Sequence, residues 1–177
     1  MNITPIMDKY ILHWGEMGTN WGVNRTVSQI HALLYLSPEP LHAEEIADVL
    51  AVARSNVSNS LKELQSWGLV KVIHLKGDRR DHFIALGETW DIFMTIIEER
   101  KRREINPTLS MLRDCVLEME GDEETPKEVK KRIQNMLTFV TTLTDWFDQV
   151  KQLPKTTLVT LMKMGAKVVK LLPKAKE

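Results

Sequence analysis

The sequence predicts a mainly α-helical fold with one small β-hairpin, in the order of a winged helix-turn-helix followed by a helical region. Apolar residues recur at helical spacing along most of the 177 residues. A run of β-branched residues at 69–75 interrupts this spacing. A polar turn and a second short apolar run follow at once, as in a hairpin. We expect one unit at 1–87, which contains the winged part, and a helical unit at 88–177.

Two helices open the chain. The first runs through residues 6–17, where Gly15 and Gly18 permit a bend or a close packing contact. The second covers 25–36 and carries apolar residues on one side. It ends before Pro38, since proline removes a backbone donor and restricts the residue before it.

The middle of the chain holds two short helices and the hairpin. In chain order we expect helix 43–50, turn 51–53, helix 54–67, strand 69–75, polar turn 76–81 and strand 82–86. Gly68 follows the second helix, where a left-handed residue commonly ends a helix.

The helix that begins at Arg54 has two different faces. Val57, Leu61 and Leu64 point inward at helical spacing. The outward residues lie mostly in its first two turns, the part of a recognition helix that reaches base edges in the major groove. These candidate DNA-binding residues are Arg54, Ser55, Asn56, Ser58, Asn59 and Lys62. The alternative is an ordinary solvated face.

The hairpin turn is basic. Lys76, Arg79 and Arg80 lie around Gly77 and Asp78, and arginines in a wing can contact phosphates or enter the minor groove. Asp78 could hold one arginine by a bidentate pair. We therefore add these three cations to the candidate DNA-binding residues. The alternative is a polar turn with a surface ion pair worth about 0–1 kcal/mol.

The segment from about 15 to 90 resembles the MarR superfamily of bacterial transcription regulators. The resemblance rests on residues 78–80 followed by residues 84–86. Residues 22–26, 33–41 and 53–58 more closely resemble one branch of this superfamily, the GbsR branch. It implies a homodimeric winged-helix repressor or activator that binds double-stranded DNA. Some members of this branch are associated with choline or glycine betaine.

Two positions depart from the pattern of the family. Gly87 replaces a usual threonine after the wing, and Ala43 replaces a usual serine or threonine cap before the first helix of the helix-turn-helix. Both changes affect helix capping and leave the DNA-contacting positions intact.

Only helices are expected after Gly87. In chain order these are helix 88–104, a kink or restart at Asn106-Pro107, a helix after the capping box at 125–128, and a helix 155–172 flanked by lysines. The last could pack within the protein or lie on a membrane surface, and we expect the former.

The helix after the capping box carries an apolar heptad seam. After Val129 its members are Ile133, Met136, Val140, Leu143, Phe147 and Val150. Such spacing suits one helix lying along another. Because a dimeric reader needs two half-sites about one DNA turn apart, we predict that this seam forms the homodimer. Packing within one subunit is the alternative.

Four tryptophans are candidates for an effector pocket: Trp14, Trp21, Trp90 and Trp146. Aromatic faces attract quaternary ammonium groups, which fits the small-molecule effector that the resemblance implies. Ordinary core aromatics are the alternative.

Composition and charge restrict the remaining function classes. Lys+Arg and Asp+Glu both number 24, so bulk charge does not indicate a polyanion binder. The single cysteine, Cys115, excludes an internal disulfide and favours the cytoplasm. It could be a packed thiol or a redox sensor. No apolar run approaches about 18 residues, and the first residues lack the pattern of a signal peptide.

Catalytic signatures are missing from the sequence. It has no glycine-rich phosphate loop, no Gly-x-Ser-x-Gly and no HExxH, and the histidine spacing fits no metal motif. We expect no enzyme, no cofactor and no metal, and a cytoplasmic, sequence-specific repressor. A winged-helix module that binds only protein is the first alternative. An enzyme acting in the aromatic pocket is a weaker one.

Overall fold

The structure is a computed structural model that describes residues 1–165. Contacts divide the chain into two compact units, Met1–Lys101 and Arg102–Glu177. The first unit contains five helices and three strands: α1 Pro5–Asn20, α2 Arg25–Leu36, β1 Leu41–His42, α3 Ala43–Leu50, α4 Arg54–Ser66, β2 Val70–His74, β3 Asp81–Ala85 and α5 Thr89–Arg100. In the described part of the second lie α6 Asn106–Glu118, α7 Lys127–Val150 and α8 Lys155–Met164. The mainly α fold class is confirmed. The predicted assignment of a winged unit to residues 1–87 and a helical unit to residues 88–177 stays a prediction. The two compact units do not show which residues carry which function.

Helix α1 continues through both of its glycines and packs against α2. A Cβ added to Gly15 would lie 2.6 Å from Cγ of Gln29, and one added to Gly18 would collide with the Ser28 side chain. These glycines therefore allow close packing of the two helices.

The three strands form one antiparallel sheet in the order β1-β3-β2. Phe83 of β3 lies opposite Leu41 on one side and Val72 on the other. The hairpin β2–β3 was predicted from its β-branched residues. Strand β1 was not predicted, because two residues give no local strand signal and only the pairing with β3 creates it.

The core of the first unit joins the N-terminal helices to the helix-turn-helix. Its most fully buried large side chains are Ile30, Leu33, Ile46, Val57 and Leu61. Helices α2, α3 and α4 each contribute to this set. The inner face of α4, the helix that carries candidate DNA-binding residues, therefore packs against the core.

A π-helical turn, Lys101–Ile105, separates α5 from α6. Pro107 cannot donate a backbone hydrogen bond, and its ring crowds the carbonyl four residues earlier, so the turn before it widens. The predicted interruption at Asn106-Pro107 is present. Asn106 was also predicted to cap the restarted helix, with Pro107 in its first turn, but α6 begins without a side-chain hydrogen bond at its N-terminus.

The loop before α7 differs from its prediction. The expected capping box at 125–128 does not form, since Pro126 is the N-cap and no side chain caps the helix. The carboxylate of Asp122 instead accepts hydrogen bonds from the backbone of Glu124 and Thr125, at 2.9 and 3.1 Å. A side-chain hydrogen bond from Thr125, together with these two backbone bonds, lowers the pKa of Asp122 below its usual range.

The last predicted helix is observed over Lys155–Met164. Its remaining predicted part, up to Leu172, lies outside the described residues apart from Gly165. Within residues 1–165, no helix has the length and apolar character needed to cross a membrane.

Candidate nucleic-acid interface

Helices α3 and α4 form the helix-turn-helix. The turn between them places Ala51 in the left-handed region, with φ of 51° and ψ of 43°. On α4, Val57 and Leu61 are 0% and 2% exposed and face the core. All of the predicted DNA-binding residues on this helix are exposed: Arg54, Ser55, Asn56, Ser58, Asn59 and Lys62. The outer side of α4 is therefore open to a ligand.

The hairpin tip is a structured cationic turn. Gly77 adopts a φ of 89°, which the turn requires and other residues rarely adopt. Lys76, Arg79 and Arg80 are exposed around it. These are the wing residues predicted from the sequence.

Asp78 holds Arg80 by a forked interaction. Nε of Arg80 donates to Oδ1 of Asp78 at 2.9 Å, and Nη2 donates to Oδ2 at 2.5 Å. The backbone N–H of Arg80 also donates to Oδ1, at 3.0 Å. The side-chain and backbone hydrogen bonds from Arg80 hold the pKa of Asp78 well below its usual range. The bidentate pair proposed from the sequence is thus between these two residues.

His42 joins the wing to the helix-turn-helix and was not identified from the sequence. Its Nδ1 accepts from the backbone N–H of Glu45 at 3.3 Å, while the Glu45 carboxylate accepts from the backbone N–H of His42 at 3.0 Å. This is a capping box with histidine in the N-cap position. It supplies the cap that Ala43 does not. The other ring nitrogen, Nε2, lies 2.7 Å from Nη1 of Arg80.

Glu44 is a second residue that sequence reasoning missed. Its carboxylate lies 2.8 Å from Nη1 of Arg54 and 4.0 Å from Nη1 of Arg80. A groove of about 370 Å³ between α4 and the sheet is lined by these residues together with Ser58, Lys62 and others. The sequence carries no signal for Glu44, because it lies on a different helix from Arg54 and far along the chain from Arg80.

A second cavity in the first unit has a volume of about 660 Å³ and mainly aromatic and aliphatic walls. Its aromatic residues are Tyr10, Trp14, Trp21, Tyr35 and Phe93. The rings of Tyr10 and Trp14 stack with centroids 5.5 Å apart. Arg100 is also part of the lining and donates a hydrogen bond to the carbonyl of Trp21.

The structure brings together two of the four tryptophans predicted for an effector pocket, and their role stays a prediction. Trp14 and Trp21 line the cavity, whereas Trp90 and Trp146 do not. The lining positions of α5 follow one helical stripe from Thr89 to Arg100, and Trp90 lies off this stripe beside Phe93. Trp146 belongs to α7 in the second unit and is 58% exposed.

His31 lies in the wall of the same cavity and is only 5% exposed. Its Nε2 has no hydrogen-bond partner among the described residues. Burial lowers the pKa of His31 to about 4, so the ring is neutral at pH 7. A neutral imidazole nitrogen here offers one polar contact in a mainly apolar space, beside the guanidinium of Arg100.

The heptad seam of α7 divides into a covered and an open half. Helix α6 packs against α7, and the predicted residues Ile133, Val140, Phe147 and Val150 are half-buried. The two other predicted members, Met136 and Leu143, are exposed, as are Val129, Phe139 and Trp146. These five exposed residues, named here the open stripe, recur at steps of three, four and seven residues.

Residues 1–165 hold no group of three or more His, Cys, Asp or Glu side chains that could bind a metal ion. Cys115 lies half-buried in α6, and its Sγ is 3.6 Å from Sδ of Met111.

Comparison with known proteins identifies similar chains. Residues 21–81 match a family model described as MarR family. YvaV of Bacillus subtilis (strain 168), described as an HTH-type transcriptional regulator, is 19% identical over 143 residues, which are 80% of this chain and 79% of that protein.

A solved structure shows a similar fold. One crystal structure of a transcriptional regulator is 22% identical, with a TM-score of 0.63, and the match covers 84% of this chain and all of that one. The transcriptional regulator BldR of Sulfolobus solfataricus is 20% identical over 75% of this chain and 87% of its own, with a TM-score of only 0.38.

Proposed function

We propose, from the MarR-family winged helix-turn-helix at residues 21–81, that the chain is a sequence-specific DNA-binding transcription regulator. The descriptions of YvaV and of the crystal structure at a TM-score of 0.63 both name a transcriptional regulator. The finer parts of the proposal are that the chain acts as a cytoplasmic homodimer, that it represses, that it belongs to the GbsR branch and that a small molecule controls it.

The observation that carries DNA binding is the exposed polar side of α4. It presents Arg54, Asn56 and Asn59 at the N-terminal part of a helix whose other side is packed into the core. Arginine pairs well with guanine and asparagine with adenine in the major groove. In this proposal α4 enters the major groove, while Arg79 and Arg80 of the wing contact the flanking backbone or minor groove.

Homodimerisation is supported by the open stripe of α7. An apolar surface of five large residues at near-heptad spacing is typical of a helix that packs against another helix. We propose that a second copy covers it, because a dimer would supply the two recognition helices that a two-fold symmetric DNA site needs. Trp146, predicted as an effector residue, is part of this stripe instead.

The cavity bounded by Trp14, Trp21 and His31 is the proposed effector site. Its volume of about 660 Å³ is in the range that binds drug-sized molecules. Choline or glycine betaine would fill only part of it. Arg100 in the lining favours glycine betaine of these two, since a guanidinium attracts its carboxylate and repels the choline cation. A larger, mainly apolar ligand with one polar group facing His31 fits the walls better.

The effector proposal is tested by tryptophan fluorescence. Choline, glycine betaine and a set of aromatic carboxylic acids would be titrated into the parent chain and into Trp14→Ala. We expect a saturable change with an aromatic acid that is lost in the variant. Equal changes in both proteins would place binding elsewhere.

DNA binding is tested by selection from a pool of random duplexes, followed by titration of the selected duplex at several salt concentrations. We expect one enriched, two-fold symmetric sequence. A matched variant, Asn56→Ala, should lose part of the preference, while Asn135→Ala on α7 should keep it. Recovery of no sequence would contradict the proposal. Binding to a protein without any DNA selection would favour the alternative of an interaction module.

A further inference from the structure

We infer that Glu44 is a specificity-determining positioning residue, which holds Arg54 for base contact and weakens binding to random DNA. The inference rests on the DNA-binding function proposed above. Its basis is the position of the Glu44 carboxylate between the first residue of α4 and the wing, 2.8 Å from Arg54 and 4.0 Å from Arg80. One acidic side chain therefore contacts both cationic parts of the surface.

The first consequence concerns the orientation of Arg54. The Arg54 side chain is 70% exposed. Within residues 1–165, it forms an ion pair with Glu44. A long exposed side chain loses conformational entropy when it binds in one geometry. The guanidinium has five N–H donors, so a carboxylate can hold one part of the fork while the rest faces a guanine. Glu44 thus lowers the ordering cost of a specific contact.

The second consequence concerns non-specific binding. Affinity for random DNA comes mainly from lysines and arginines that neutralise phosphates. A carboxylate beside Arg54 and Arg80 lowers the positive potential at this surface and repels phosphates that approach in a wrong register. Specificity often needs such a repulsive element in addition to attractive ones.

Neighbouring acids do not share this position. The Glu45 carboxylate accepts a hydrogen bond from the backbone of His42 at 3.0 Å and belongs to the capping box. Asp48 is exposed one turn later on the same helix, and the described residues show no ion pair for it. Asp48→Asn is therefore a matched control for the loss of one negative charge from α3.

The experiment measures binding by fluorescence anisotropy to two duplexes. One is the duplex that the parent chain selects from a random pool, and the other is a scrambled duplex of the same composition. The proteins are the full-length parent, Glu44→Gln, Glu44→Asp and Asp48→Asn, each at several salt concentrations. The quantity compared is the ratio of the two affinities.

We expect Glu44→Gln to lower this ratio about tenfold, with tighter binding to the scrambled duplex. We expect Asp48→Asn to change it by less than about twofold. Glu44→Asp keeps the charge and withdraws the carboxylate from Arg54. It should bind the scrambled duplex as weakly as the parent and bind the selected duplex less tightly.

Each other outcome overturns a defined claim. Equal ratios for Glu44→Gln and Asp48→Asn would show that Glu44 has no special role, with DNA binding itself unaffected. Selected-duplex affinity of Glu44→Asp equal to that of the parent would contradict the positioning of Arg54. A parent that selects no duplex would contradict the proposed function, and the inference would fail with it.

Discussion

Nη1 of Arg80 lies 2.7 Å from Nε2 of His42, so the wing contacts the residue that caps the first helix of the helix-turn-helix. His42 also belongs to β1, where it pairs with His82 of β3. One residue thereby combines a helix cap, a strand position and a contact to a candidate DNA-binding arginine.

Replacement of His42 by alanine should lower the free energy of unfolding. The expected loss is about 1 kcal/mol, because the N-cap acceptor for the backbone N–H of Glu45 disappears. His42→Asn is the matched variant, since asparagine restores a cap but is too short to keep the Arg80 contact. Urea denaturation monitored by circular dichroism measures the free energy of unfolding of both variants. A His42→Ala midpoint equal to that of the parent would show that the capping box contributes nothing.

Substitutions of α4 and of the wing should affect DNA binding differently. Arg54→Ala and Asn56→Ala should each relax preference at individual base pairs, at about 1–3 kcal/mol per contact. Arg80→Ala should weaken binding to all sequences and reduce the salt slope by about one.

Titration of duplexes with single base-pair changes, at several salt concentrations, separates these effects. Lys9→Ala, a lost cation on the exposed surface of α1, is the charge control. Parent-like binding by the Arg54, Asn56 and Arg80 variants would mean that the interface is assigned to the wrong surface.

A charge placed on the open stripe should separate the proposed dimer. Leu143 is 51% exposed in the single chain. Leu143→Lys should cost about 2 kcal/mol or more of association free energy, because a buried central apolar residue is replaced by a cation. Gln134→Lys, nine residues earlier and on the opposite side of α7, should leave the dimer intact. Sedimentation velocity over a range of concentrations measures the monomer–dimer equilibrium of each protein. A parent that is monomeric at every concentration would contradict the homodimer.

His31 should make stability depend on pH below neutrality. In the folded chain its pKa is lowered to about 4 by burial, against 6.5 for the ordinary side chain. The unfolded chain therefore binds a proton first as pH falls. The stabilisation from a neutral His31 is fully present above about pH 6.5 and is lost progressively as pH falls to about 4, by about 3 kcal/mol in total.

His31→Leu isolates this contribution, since the other titrating groups stay in place. The difference in unfolding free energy between parent and variant should change across pH 6.5 to 4. A constant difference would show that His31 is not buried in its neutral form.

Several elements follow directly from local sequence. The helices α2 and α3, the β2–β3 hairpin and the exposed polar side of α4 were all predicted, because apolar periodicity and turn residues act over a few neighbouring positions. Gly68, with a φ of 70°, also lies in the left-handed region expected after α4. The fold class needed no information from distant residues.

The tertiary structure alone decided which residues come together. The contact of His42 with Arg80 and the contacts of Glu44 with Arg54 and Arg80 join side chains from different elements. Trp14 and Trp21 line the cavity and Trp90 does not, because α1, α2 and α5 each turn only one stripe of side chains toward it. The heptad of α7 was visible in the sequence, but only packing against α6 showed which half stays open. Local periodicity specifies the face of a helix, while the neighbour on that face depends on the long-range arrangement of the chain.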